Sequence, residues 1–328
     1  MVTLSEKHVA DKHVAALAPG ETERLWQAAH VLVRSADVEN LPPDDLVNIA
    51  TALAPALPAE VLRRLHRYRS SGDCGDALLI RGLLPPGIDW GRNPGGSGAP
   101  LRDEHPQAAA LCLLTIAAQL GEPFTFSTFY SGQLVQHVVP VPGMEHTQTS
   151  ESSDGTLNWH VEDGWSGNRC DYFTLLCLRG DRGANTMFAA ARDVALPASQ
   201  RKVLADRARF VMWPDSAHAL AERTGTPTAV LCGPEHDPQI CFDAHYLGAA
   251  DPADTEAAAA LAALSEELDA NRIEHTLEPG ELLLLDNRRT AHARSSFRPG
   301  NDGNDRWLLR TMICSSLPRF RRNGTRII

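Results

Sequence analysis

The cysteines of this chain show no paired spacing. All seven, at positions 74, 112, 170, 177, 232, 241 and 314, are scattered, and none is spaced as Cys-x-x-Cys. That argues against a disulfide scaffold or a structural zinc site and leaves reduced thiols, mostly small core residues, in a reducing compartment. Positive charge is also short: 31 Lys and Arg stand against 41 Asp and Glu, a net charge of −10. Nucleic acid and anionic membrane are disfavoured as partners, and a small molecule is favoured. No apolar run approaches the roughly 20 residues that cross a bilayer. The opening MVTLSEKHVADKH lacks the basic-then-apolar order of a signal peptide, so a cytoplasmic location is expected. Internal repeats and a linker are also missing, so the 328 residues are expected to form one domain, 1–328, with a large apolar core.

Two textures divide the chain. Residues 1–120 read as mainly helical, with apolar residues at helical spacing over 4–17, 21–36, 44–54, 58–70 and 106–120 and helix starts marked by LPPDD and LPAE. Between them GIDWGRNPGGSGAP, 87–100, is a Gly/Pro loop. Residues 121–328 carry short β-type runs separated by turn residues: FTFSTFYSG, LVQHVVPV, TLNWHVED, DYFTLLCLRG, RFVMW, TAVLCG, QICFD, ELLLLDN and RWLLRTMIC. One Ala-rich helix, 254–271, interrupts them. The expected fold is mainly β with flanking helices, a jelly-roll (double-stranded β-helix) core on which the N-terminal helical region packs.

Within TLNWHVED, His160 and Glu162 stand two apart, a spacing that puts both on one face of a strand. They could share a metal ion, or form a structural His–Glu pair. The far end of the chain bears on the choice. In LLLLDNRRTAHARSSF an apolar strand and a polar turn lead to His292, and Arg306 and Arg310 follow fourteen and eighteen residues later. Four apart on a strand, those arginines point the same way with Leu308, while Trp307 and Leu309 point opposite. Two guanidinium groups aimed into a β core require anions there. Two histidines and one carboxylate are the donor set of mononuclear non-haem Fe(II) oxygenases.

At this point the chain resembles the clavaminate synthase-like branch of the Fe(II)/2-oxoglutarate oxygenases, which includes arginine, asparagine and lysine hydroxylases of natural-product and antibiotic pathways. The resemblance runs from about residue 75 to 320 and is carried by GQLVQHVVPVPG, TSESSDGTLNWHVEDGW, RGANTMFA, DNRRTAHARSSF and RWLLR. It implies His160, Glu162 and His292 as iron ligands, with 2-oxoglutarate and O2 as co-substrates. It further implies Arg306 and Thr186 at the distal carboxylate of 2-oxoglutarate and Arg310 at the α-carboxylate of an amino acid. Gln136 and the non-ligating side of Glu162 fall at the α-amine, and Ser150 at another polar contact. Other readings stand beside these. Thr186 fits an ordinary strand threonine, Gln136 a solvated strand residue, and Arg310 a partner of Asp215 or Asp243. Trp159 and Trp165 read as core packing.

The arginine hydroxylases of this group grip the guanidinium with acids before the late helix. The matching segment here, QICFDAHYLGAADP, offers Asp243 and then His245 in place of a second acid. PDSAH, 214–218, resembles the start of the loop that closes over substrate, and its Asp215 adds an acid. The expected activity is hydroxylation of a free polar or basic L-amino acid at C3, with C4 next. Desaturation, cyclisation, a carrier-bound or peptide-derived substrate, and a non-catalytic cupin-like barrel are the alternatives, and the oligomeric state is left open.

Overall fold

The computed structural model describes residue 9 and residues 13–71, 76–317 and 326–328. In chain order its helices are α1 (Pro19–Ser35), α2 (Pro43–Thr51), α3 (Ala59–Ser71), α4 (Glu104–Leu120), α5 (Ala198–Ala205) and α6 (Thr255–Asn271). Its strands are β1 (Val14–Ala16), β2 (Ala77–Arg81), β3 (Glu122–Phe124), β4 (Gln136–Val138), β5 (Leu157–His160), β6 (Tyr172–Arg179), β7 (Asn185–Ala190) and β8 (Phe210–Met212). There follow β9 (Thr226–Pro227), β10 (Leu231–Cys232), β11 (Gln239–Ile240), β12 (Leu247–Ala249), β13 (Ile273–Thr276), β14 (Leu282–Asp286), β15 (Thr290–Arg294) and β16 (Trp307–Cys314).

A seven-stranded sheet runs β1-β2-β14-β6-β16-β3, with β4 also pairing β16; a four-stranded sheet runs β13-β7-β15-β5. Two small sheets, β12-β8-β9 and β10-β11, complete the strands. The leucine run of β14 shows why the large sheet sits in the middle of the molecule. Leu282 and Leu284 join a core with α1, α2 and α4, whereas Leu283 and Leu285 join a core with Phe173 of β6 and Phe188 of β7. Alternation on a strand buried from both sides gives an unbroken apolar sequence. The same alternation sends Trp307 and Leu309 toward the helices and Leu308 toward the second sheet. Beyond that sheet α5 and α6 cover Trp159, Ala189, Ala291 and Ala293. The two cores of the large sheet thus place the site between sheets, where β5, β7 and β15 face β6 and β16.

Several expectations are corrected. The helix over 4–17 gives way at Val14–Ala16 to β1, which pairs parallel with Leu79–Arg81 of β2; residues 4–8 and 10–12 lie outside the described residues. Helical spacing lost to a partner edge, because three residues of strand are specified by what they pair with rather than by their own propensity. With β1 and β2 in the large sheet, the division at residue 120 does not separate helices from strands. Strands β7, β13 and β15 were hidden among polar and small residues. The remaining helices, the 87–100 loop and the late helix fall where expected, the last closed by Asp254, which accepts a bond from the Ala257 amide at 2.9 Å. Cys112, Cys170, Cys177 and Cys241 are buried free thiols, Cys314 is buried, Cys232 is free and exposed, and Cys74 is outside the described residues. Among the described residues no helix is long and apolar enough to cross a membrane.

Candidate metal centre and substrate cavity

His160 ends β5 directly opposite His292 of β15, and their rings lie 4.0 Å apart between centroids. Strand β5 stops there, so Glu162 stands in a turn rather than on the expected strand. The alternation nevertheless survives: Val161 donates its amide to Phe242 O at 2.9 Å and turns its side chain into the outer core, leaving His160 and Glu162 on the cavity side. One donor atom from each of His160, Glu162 and His292 lies within 4.8 Å of the other two. His160 Nδ1 bonds Asn158 O at 2.8 Å, which fixes the ring and leaves Nε2 for a ligand. Burial, with His160 beside it, pushes His292 down to about 4, so at neutral pH its ring is the uncharged, metal-binding form. Burial opposes the charge of Glu162, but Arg310, with His292 and His160, holds its carboxyl well below the usual range.

The turn that presents Glu162 is held by Asn287, a residue to which the sequence pattern assigns no role. Asn287, fully buried, accepts from the Glu162 amide at 2.8 Å and donates to Glu162 O at 3.0 Å and Cys170 O at 3.1 Å. Asn287→Ala strands the Glu162 amide and carbonyl in a dry interior, and the expected loss of stability is about 3 kcal/mol. A urea unfolding series checks it: the midpoint should fall at unchanged slope, and a shift equivalent to under about 0.5 kcal/mol would rule out the clamp.

Arg310 of β16 and Arg306, the residue just before that strand, both reach this cavity. Arg310 Nη1 lies 3.0 Å from Glu162 Oε1, Nε donates to Gln136 Oε1 at 3.3 Å, and Nη2 is buried without a partner. Its guanidinium lies 5.0 Å above the Phe129 ring. The expected alternative partners of Arg310, Asp215 and Asp243, are not within ion-pair distance; Glu162 is. Arg306, four residues earlier, lies just outside the strand rather than on it as expected, yet still opens onto the cavity; it is 5% exposed, and burial pushes its pKa down. No carboxylate among the described residues pairs with it. Thr186 of β7 lines the same space. A further guanidinium adds to the positive field there: Arg294, 4.8 Å from the Phe297 ring that Arg306 also faces at 5.9 Å, is lowered to about 9 by burial and by Arg306. Arg294 was not singled out from the sequence; its position two residues after His292 on the same strand face was the available signal.

Ser150, Asp215, Asp243 and His245 also line the cavity. Ser150 Oγ bonds the Tyr130 hydroxyl at 2.9 Å. Asp243 Oδ1 is turned back to its own loop, accepting from the His245 and Tyr246 amides at 2.7 Å each. Burial, with the charge of Asp163 nearby, raises Asp215 to about 6. Gln136 departs from expectation: it is fully buried behind Arg310 and is not among the cavity-lining residues, because its amide is drawn to Gln133 O and Thr125 Oγ1. Nor do the two tryptophans reach the cavity. Trp159 packs in the outer core with Nε1 donating to Asp269 at 2.9 Å, and Trp165 packs against the same core and the His218 ring. Phe173, its ring 4.4 Å from that of His292, and Tyr130 are wall residues that the sequence did not announce.

Two histidines and a carboxylate gathered between β-sheets, with buried cationic side chains opening onto the same space, define a mononuclear metalloprotein of the two-histidine, one-carboxylate class. The chain belongs to the taurine catabolism dioxygenase TauD, TfdA family, whose model matches residues 98–312. It is similar to L-asparagine oxygenase of Streptomyces coelicolor, 36% identical over 85% of this chain and 84% of that protein. It is also similar to clavaminate synthase 2 of Streptomyces clavuligerus, 33% identical over 90% of each. A crystal structure of the non-heme iron oxygenase OrfP in complex with Fe, succinate and (3S)-hydroxy-L-Arg superposes with a TM-score of 0.85 at 27% identity, covering 96% of this chain and 99% of that one.

Proposed function

We propose that this protein is an Fe(II)- and 2-oxoglutarate-dependent hydroxylase of a free polar or basic L-amino acid, acting at C3 before C4. The observation that carries the reading is one cavity into which the His160–Glu162–His292 cluster and two buried arginines, Arg306 and Arg310, all open. A non-catalytic barrel leaves Arg306 without an anion; a dicarboxylate co-substrate supplies one. In this reading the whole chain, 1–328, is one domain whose two large sheets form a jelly roll.

His160, Glu162 and His292 would hold the iron, and all three open onto the cavity in which the substrates would bind. Bound there, iron would supply the redox chemistry that links decarboxylation of 2-oxoglutarate by O2, giving succinate and CO2, to hydroxylation of a C–H bond. The chain's own work is placement. Arg306 and Thr186 seat the distal carboxylate of 2-oxoglutarate. Arg310, its Nη2 still unpartnered, receives the α-carboxylate of the amino acid, and the free oxygen of Glu162 meets the α-amine. Gln136 acts from behind, orienting Arg310 through the 3.3 Å bond rather than touching substrate. Ser150 and Tyr130 close one wall, and Asp215, Asp243 and His245 face the side-chain end. With both α-substituents anchored, C3 is the first side-chain carbon that would be presented to the His160–Glu162–His292 cluster.

Screening the twenty amino acids with citrulline and ornithine for coupled succinate release, followed by detection of a 16-dalton gain, tests the proposal. Turnover of none of them, with turnover of a thioester-linked amino acid, would shift the substrate to a carrier. Asp215 separates basic from neutral side chains. A carboxyl lifted to about 6 is neutral below that pH and charged above it, so a cationic side chain held there should bind more tightly as pH rises through 6. The KM for the amino acid is therefore expected to fall across that range and to become flat in Asp215→Asn. A flat profile in the unmodified protein assigns a neutral amide or ureido end instead.

A further inference from the structure

Behind Asp215 lies a buried cluster that the activity above does not use. His218 is 2% exposed, and both of its ring nitrogens are engaged: Nε2 bonds Asp163 Oδ1 at 2.7 Å and Nδ1 bonds Thr128 Oγ1 at 2.8 Å. The ring stacks on Phe129 at 4.7 Å and 28°, with the edges of Phe126 and Trp165 closing it in at 5.3 and 5.1 Å. Asp163, Asp215 and His218 have donor atoms within 4.8 Å of one another. Both ring nitrogens of His218 are engaged, by Asp163 Oδ1 and Thr128 Oγ1, so no imidazole donor is left for an ion and the cluster is a hydrogen-bonded pair rather than a second metal site.

We infer that the Asp163–His218 pair positions the substrate end of the cavity by fastening three of its walls to the iron-ligand turn. Asp163 immediately follows Glu162 and takes a left-handed backbone, φ 53°, a conformation Asp tolerates better than most residues. That turn aims its carboxylate away from the cavity and into His218. From His218 the chain runs back three residues to Asp215, whose carbonyl accepts the His218 amide at 3.4 Å. Ala219 N donates to Thr128 O at 2.8 Å, and Phe129 and His218 form an isolated antiparallel bridge. Phe129 in turn lies beneath the Arg310 guanidinium. One imidazole therefore sets the height of Asp215, the Phe129–Tyr130 wall and the floor under Arg310 relative to Glu162. None of these contacts reaches Arg306 or Thr186, so the device acts on the amino acid and not on 2-oxoglutarate.

The inference rests on the proposed activity for its kinetic consequence, but its structural arm does not. The test compares His218→Leu, which removes both bonds, His218→Gln, whose amide can still reach Asp163, and Thr128→Val, which removes only the Nδ1 contact. Each is assayed with whichever amino acid of the panel the unmodified enzyme turns over fastest. For His218→Leu the KM for the amino acid is expected to rise roughly tenfold to a hundredfold, and succinate to be released in excess of hydroxylated product. The KM for the keto-acid co-substrate should change less than about twofold, within ordinary additivity error for distant sites. His218→Gln should recover much of the loss, and Thr128→Val should fall between. Equal rises in both KM values, or none in that for the amino acid, overturn the inference. Hydrogen exchange on the protein alone supplies the second arm: faster exchange at the His218 and Ala219 amides in His218→Leu, with α4 unchanged, supports it, and unchanged exchange at those amides overturns it. If the unmodified protein turns over no amino acid of the panel, the proposed activity fails while the exchange arm still decides the anchor.

Discussion

Replacing Glu162 by alanine is expected to abolish succinate formation. The side chain is the single anionic donor in the proposed ligand set of His160, Glu162 and His292, and it also faces Arg310 at 3.0 Å. Removing it leaves two neutral donors for a dication and a buried guanidinium with no counter-charge. Loss of one partner of such a pair destabilises by about 3–5 kcal/mol, so the inactive protein must be shown to be folded by its circular dichroism and melting transition. Anaerobic Fe(II) titration in the presence of 2-oxoglutarate supplies the direct readout: the weak visible charge-transfer band of the chelate should be present in the unmodified protein and missing in Glu162→Ala. Glu162→Gln keeps the volume while removing the charge, and the same loss of the band is expected. Succinate release at an undiminished rate in either variant would take Glu162 out of the ligand set.

Arg306 and Arg310 should divide cleanly between the two substrates. Arg306 opens onto the same cavity as Thr186 and pairs with no carboxylate among the described residues, so Arg306→Ala removes the counter-charge proposed for a bound dicarboxylate. Charge-assisted bonds lost in a buried site are worth on the order of 3 kcal/mol, roughly a hundredfold in the KM for the co-substrate. Arg310→Ala should act mainly on the KM for the amino acid and release succinate without product, because 2-oxoglutarate still binds. Steady-state kinetics with each substrate varied in turn checks both. If Arg310→Ala raised the 2-oxoglutarate requirement and Arg306→Ala that of the amino acid, the two seats would have to be exchanged. Arg294 complicates only the size of the first effect: it stays close enough to Arg306 to repel it, and it provides a residual positive charge in the variant.

Much of the site was written in local patterns. His160 and Glu162 were legible because alternation is a property of two neighbouring peptide units; it held even though the strand ends at His160 and Glu162 lies in a turn. Leu308 on one face of β16, with Trp307 and Leu309 on the other, followed from the same rule, although Arg306 lies just before the strand. Strand β7 was not legible, since Asn185, Thr186 and two alanines carry no β pattern of their own, and its place comes from pairing β13 on one side and β15 on the other. The expected helix before residue 17 failed for the same reason in reverse.

Gln136 marks the limit for individual side chains. Its place on β4 beside Arg310 of β16 could be expected, and the register pairs the two directly. Whether its amide faced a ligand or the backbone was settled by Gln133 O and Thr125, one of which sits on a different segment of the chain. Asp243 is similar: its acidity was visible, but not that its Oδ1 is spent on the amides of its own loop.

The sequence by itself determined the donor chemistry, the face on which each donor stands, the buried double-sided strand of leucines and the requirement for an anion near two inward arginines, because each of these depends on residue type and a period of two. Only the tertiary structure decided that His292 lies opposite His160, that Asn287 grips the Glu162 turn, and that Asp163 and His218 meet behind Asp215. Those contacts join residues 55 to 132 positions apart, and nothing local in a chain records which distant segment will complete a hydrogen bond once solvent is removed.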